Sequence, residues 1–140
     1  MKTIYNFIST GFYTFVGVIS LVMAYKSIFL NKLLPFHAKA AGNNLDSYDK
    51  PLQYVILALM KVSGLGFLII GLLLIIFPIL YNNSNDCFLR YAIPIISLIY
   101  CLGLFLINFY LSKQTKSKTP WQGSLIAMFI IILAIILANI

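Results

Sequence analysis

Four long apolar stretches limit how this chain of 140 residues can fold. Each reaches the roughly 20 residues that a helix needs to cross the hydrocarbon core of a bilayer. A water-soluble domain of this size keeps a large share of its residues at the surface, so the solvent that meets most of these side chains has to be lipid. We therefore predict four transmembrane helices, over about Ile4–Tyr25, Leu52–Leu80, Phe88–Leu111 and Trp121–Ile140.

The composition supports the same fold class. Hydrophobic residues make up 61% of the chain and charged residues only 9%, against roughly a quarter charged residues in ordinary soluble domains. We expect an all-α integral membrane four-helix bundle that forms one domain over 1–140.

The basic residues predict the orientation of this bundle. The first loop, over 26–51, and the third loop hold seven lysines between them: Lys26, Lys32, Lys39, Lys50, Lys113, Lys116 and Lys118. The opposite side has only Lys2 and Arg90. Since basic residues concentrate in cytoplasmic loops, we place both loops in the cytoplasm and both termini on the non-cytoplasmic side. The net charge of +7 is explained by these loops, and we expect no nucleic-acid partner.

Small and weakly polar residues recur at helical spacing in every span, which is typical of membrane helices that pack closely. The predicted interior residues are Thr10, Thr14 and Gly17 in the first span; Gly64 and Gly71 in the second; Ser97, Cys101 and Asn108 in the third; and Gly123, Ala127, Ala134 and Ala138 in the fourth.

Lys61 is the charged residue that lies well inside an apolar stretch. Ionisable groups within membrane spans are costly and therefore mark candidate functional sites. Two interpretations remain open. The long stem of Lys61 can snorkel to the cytoplasmic interface, or its ammonium can bind an anionic ligand or lipid head group.

Further polar residues fall on the same predicted side of the membrane as Lys61. Together they form a candidate ligand-binding layer of six residues: Lys61, His37, Asn108, Gln53, Asp46 and Asp49. The alternative is purely structural, with Asn108 bonded across helices and the loop residues capping or solvating helix ends.

The sequence lacks the groups of residues that catalysis or metal binding would need. Cys87 and Cys101 are too few and too far apart for a redox pair or a four-ligand metal site, and His37 alone lacks partner ligands. Paired haem ligands and a carboxylate within a span are also missing. We therefore expect no catalytic residues, no metal and no cofactor.

The first loop contains an apolar patch, which includes Phe29, Leu33 and Leu34, ahead of Pro35. Such a segment can lie along the membrane surface with its lysines at the head groups, and then turn at Pro35 and again at Gly42. In that position it would cover the cytoplasmic mouth of the bundle.

Three segments carry a resemblance to a bacterial family of small four-span membrane proteins: LPFHAKAAGNNL (Leu34–Leu45), LQYVILALMKVSG (Leu52–Gly64) and KTPW (Lys118–Trp121). They cover roughly half of the chain. In size, span number and topology the chain is also similar to the DoxX-like four-helix proteins. The resemblance implies a bacterial inner-membrane location and no particular activity. Its pattern picks out Pro35, His37, Gly42, Gln53, Lys61, Gly64, Pro120 and Trp121.

These observations favour a binding or accessory role, in which the bundle holds a lipid or an apolar ligand with a polar layer near the cytoplasmic face. The expected partners are membrane lipid and either further copies of the chain or a larger membrane protein. The alternative is a subunit of an oligomeric small-molecule transporter. A polar layer that opens into a continuous path would favour the transporter, and a sealed one would favour binding.

Overall fold

The computed structural model describes the backbone of residues 2–42, 44–82 and 87–139 and the side chains of residues 4–42, 44–80 and 91–139. The described segments form five α-helices and one 3₁₀ turn, with no strand among them. The helices are α1 (Lys2–Phe29), α2 (Pro35–Ala41), α3 (Lys50–Asn82), α4 (Cys87–Thr115) and α5 (Trp121–Ala138), and the 3₁₀ turn is Leu45–Ser47. The predicted all-α fold is confirmed.

Four of these helices, α1, α3, α4 and α5, are long and apolar enough to cross a membrane. The chain is therefore a multi-pass integral membrane protein. Three helices extend past the predicted spans: α1 continues to Phe29, α3 covers Lys50–Asn82 and α4 covers Cys87–Thr115. The fourth span begins at Trp121 as predicted, and its predicted end at Ile140 lies outside the described residues. Lys26 and Lys113 lie in the last turns of α1 and α4, where a cation interacts favourably with the helix dipole.

Thr119 does not cap α5, although a threonine followed by a proline ahead of an apolar run is typical of an N-cap. Pro120 takes the capping position instead, without a side-chain cap. The Thr119 hydroxyl instead donates to the backbone oxygen of Asn108 at 2.7 Å. Thr119 is buried against α4, so its hydroxyl takes the nearest acceptor there and joins the two helices.

In the bundle, α1 packs between α3 and α5, while α4 packs against α5 and, less extensively, against α3. The helices alternate in direction. We call the end where α1 begins and α5 ends the terminal end, and the end that carries α2 and residues 116–120 the long-loop end.

Glycines allow α1 and α3 to approach closely. A Cβ atom on Gly17 would lie 3.0 Å from the backbone oxygen of Gly71, and one on Gly71 would lie 2.9 Å from the backbone oxygen of Gly17. A Cβ on Gly64 would lie 2.9 Å from the Cβ of Ser27. The predicted interior is confirmed at these three glycines, and also at Ser97, Cys101 and Ala134, which are buried. Gly123 makes no close helix contact, because it faces an open space between the spans.

The terminal half of the bundle is densely packed. Leu74, Ile131 and Ala134 are fully buried there, and the rings of Tyr13 and Phe77 meet edge to face at 4.9 Å between centroids. A hydrogen bond from the Ser9 hydroxyl to the Ala134 oxygen (2.8 Å) joins α1 to α5. The same helices diverge toward the long-loop end, and the space between them is the candidate site.

Candidate apolar cavity at the long-loop end

A cavity of about 440 Å³ lies between the four spans in the long-loop half of the bundle. Small-molecule sites in proteins typically occupy roughly 300–1,000 Å³, so the cavity has room for one small molecule or one hydrocarbon chain. Its deep wall is mostly apolar, and the Tyr100 hydroxyl on that wall donates to the Ser63 oxygen at 3.4 Å. The apolar residues of the wall are Phe15, Val16, Ile19, Phe67, Ala127 and Ile130. The packed core of the terminal half closes it beyond these residues.

The short helix α2 covers the mouth of this cavity. Pro35 opens the helix, and Gly42 ends it with a φ of 70°, in the left-handed region that glycine adopts without strain. Leu34 is buried at its start, and the adjoining rings of Phe36 and His37, 4.1 Å apart, line the cavity. The prediction that the first loop covers the bundle mouth therefore agrees with the structure, although Pro35 begins a helix where a turn was predicted.

Uncharged polar groups concentrate at this mouth. Ser27, Ser63 and Ser124 line it together with His37 and Asn108. The Ser27 side chain is only 4% exposed, yet its hydroxyl makes no hydrogen bond to any residue that the structure describes.

Only one of the two polar atoms of the Asn108 side chain forms a hydrogen bond among the described residues. Its amide nitrogen donates to the Leu104 oxygen at 2.8 Å. Its side-chain oxygen accepts no hydrogen bond from the described part of the chain. Asn108 thus presents an acceptor on the cavity wall.

His37 lies in α2, outside the membrane-spanning segments, and contacts two spaces. It lines the cavity and also a shallower groove against α3 with Leu33, Tyr48 and Ile56. Burial lowers the pKa of the imidazole from its ordinary value of 6.5, because desolvation disfavours the charged form. The ring is therefore neutral at pH 7, with one nitrogen that donates and one that accepts.

The cavity wall carries no charged side chain within the described residues. Every lysine and aspartate whose side chain the structure describes is exposed. A ligand in this cavity would meet hydroxyl, amide and imidazole groups and apolar surface, and no fixed charge.

The structure places two of the six predicted ligand-binding residues, His37 and Asn108, on the cavity wall. The other four lie elsewhere: Lys61, Gln53, Asp46 and Asp49 are not among its lining residues. Gln53 donates from its amide to the Tyr48 oxygen at 2.7 Å, and both aspartates are exposed. A ligand site built from all six residues stays a prediction.

Lys61 lies on an exposed face of α3. Gly64, one turn further along α3, contacts Ser27 and Ile28 near the end of α1. Lys61 is therefore about level with Phe29, where α1 ends. The two interpretations of Lys61, snorkelling and binding of an anionic group, both stay predictions.

The predicted site residues did not include the serines at the mouth, Ser27, Ser63 and Ser124, because a serine in a helix usually bonds to its own backbone. Helical spacing could have identified Ser27, because Ser20, Met23 and Ser27 lie on one face of the first span. All three residues line the cavity.

The described residues contain no group of three or more His, Cys, Asp or Glu side chains that could hold a metal ion. No protein-family model, curated protein or solved structure matches the chain. The resemblance to a bacterial four-span family, DoxX-like proteins included, thus stays a prediction.

Proposed function

We propose that this protein binds an apolar or amphipathic molecule of the bilayer in the cavity at the long-loop end. The observation that carries the proposal is the cavity itself, which is mostly apolar at depth, polar at its mouth and covered by α2. Concave sites with mostly apolar walls and a few placed polar groups are typical of small-molecule binding sites.

The cavity wall reaches the outer surface of the bundle between α1 and α5. Phe15 on α1 and Ile126 on α5 line the cavity, yet they are 56% and 59% exposed. The outer surface of a spanning helix meets lipid. A lipid-like molecule can therefore enter sideways from the bilayer without crossing water.

The alternative of a transporter subunit finds less support. Leu74, Ile131 and Ala134 close the terminal half of the bundle with no exposed surface, so the cavity does not continue through a single chain. A transport path between several copies of the chain would need an oligomer.

Native mass spectrometry of the full chain, extracted with its surrounding lipid, tests the proposal. Wild type should retain one small apolar molecule per chain. Ala127→Phe adds volume to the cavity wall and should lose that molecule. Ala58→Phe is the matched control, because Ala58 is exposed on α3 and does not line the cavity. Equal retention by both variants, or a bare wild-type chain, would refute the proposal.

A further inference from the structure

The Ser27 hydroxyl at the mouth of the cavity is buried without a hydrogen-bond partner among the described residues. A helical serine commonly donates to the carbonyl one turn back, as Ser97 does to the Ile93 oxygen at 2.9 Å. Ser27 is also buried, at 4% exposed, but makes no such bond among the described residues. Because an unpaired buried hydroxyl is costly, a polar atom of a ligand at this place would be stabilised.

The absence of charge on the described cavity wall limits what that polar atom can be. A carboxylate, phosphate or ammonium head group would lose hydration and gain no opposite charge in return. His37, whose pKa is lowered by burial, does not supply a positive charge at pH 7. A hydroxyl or carbonyl group can instead bond with Ser27, His37 and the free oxygen of Asn108.

The length and volume of the cavity restrict the apolar part of the ligand. It follows α1 from Ser27 at the mouth to Phe15 at depth, a distance of about 18 Å at a rise of about 1.5 Å per residue. Its 440 Å³ is small for a site of that length, which suits one extended chain better than two.

We infer that the ligand is a neutral, single-chain amphiphile. Its hydroxyl or carbonyl head bonds with Ser27, His37 and Asn108, and its hydrocarbon chain lies against Phe15 and Ile130. This inference rests on the proposed function and adds the chemical class of the ligand.

Three probes with one chain length separate the contributions of head and chain: oleyl alcohol, oleate and 1-octadecene. Each is titrated at pH 8 into the full chain in lipid nanodiscs, and occupancy is measured by native mass spectrometry. Oleyl alcohol should bind one per chain and saturate. Oleate should bind at least about tenfold more weakly, because its charge finds no partner.

Ser27→Ala tests the position of the head group. It should weaken oleyl alcohol roughly tenfold, the usual effect of one lost hydrogen bond, and leave 1-octadecene unchanged. Equal weakening of both probes would refute the head-group position. Preference for oleate would refute a neutral ligand while the cavity stays a binding site. Saturable binding of none of the three would refute the proposed function as well.

Discussion

Substitution of Gly71 by alanine should force α1 and α3 apart at a close contact between their backbones. The added Cβ would lie 2.9 Å from the Gly17 oxygen and 2.9 Å from a methyl carbon of Leu21. The backbone oxygen cannot rotate away, and its distance is about 0.5 Å short of the 3.4 Å at which ordinary contact begins. The two helices must therefore separate. Overpacking of this kind costs about 1–3 kcal/mol.

Thermal unfolding in detergent, followed by circular dichroism, measures the effect as a lower Tm. Gly103→Ala is the matched control, since a Cβ there has no neighbouring atom within 4 Å. The control should match wild type or gain slightly, because alanine has a higher helix propensity than glycine. If Gly71→Ala unfolded at the same temperature as the control, the close approach of α1 and α3 would be wrong.

Three further predictions follow from the site and the orientation. His37 is the single histidine of the chain and its pKa is lowered, so the unfolded chain binds more protons below pH 6.5. Stability should therefore fall as pH drops from 6.5 toward the lowered pKa, and His37→Gln should remove this fall. Lys61→Gln should change the free energy of unfolding by less than about 0.5 kcal/mol and should retain the bound molecule. Loss of the bound molecule would support the six-residue site. A cysteine in place of Lys116 should resist an impermeant thiol reagent in intact cells while native Cys87 is labelled, and the reverse pattern would overturn the predicted orientation.

The spans and their closest contacts were predictable because they depend on local features. A run of about 20 apolar residues has to cross the bilayer, and glycines such as Gly64 and Gly71 mark faces that allow close packing. The ends of the helices were less predictable. Hydrogen bonding within a helix continues past a charged residue such as Lys26, so α1 extends from the predicted end at Tyr25 to Phe29.

The cavity could not be predicted, because it arises from how the four helices diverge. Its lining combines residues from four spans and α2 that are far apart in sequence. His37 and Asn108 were selected because they are polar and fall on the same predicted side of the membrane as Lys61. Ser27 was not, since only the folded structure shows that its hydroxyl is enclosed without a partner.

Protection of a cavity thiol by ligand tests the central claim most directly. In a chain with Cys87→Ser and Cys101→Ser, single cysteines replace either Ser124, on the cavity wall, or its neighbour Leu125, which is exposed on the outer surface. Both are treated with a lipid-soluble maleimide in nanodiscs, with and without saturating oleyl alcohol. We expect the alcohol to slow labelling at position 124 and to leave labelling at position 125 unchanged. Equal labelling rates at position 124 with and without the alcohol would contradict a ligand-binding cavity.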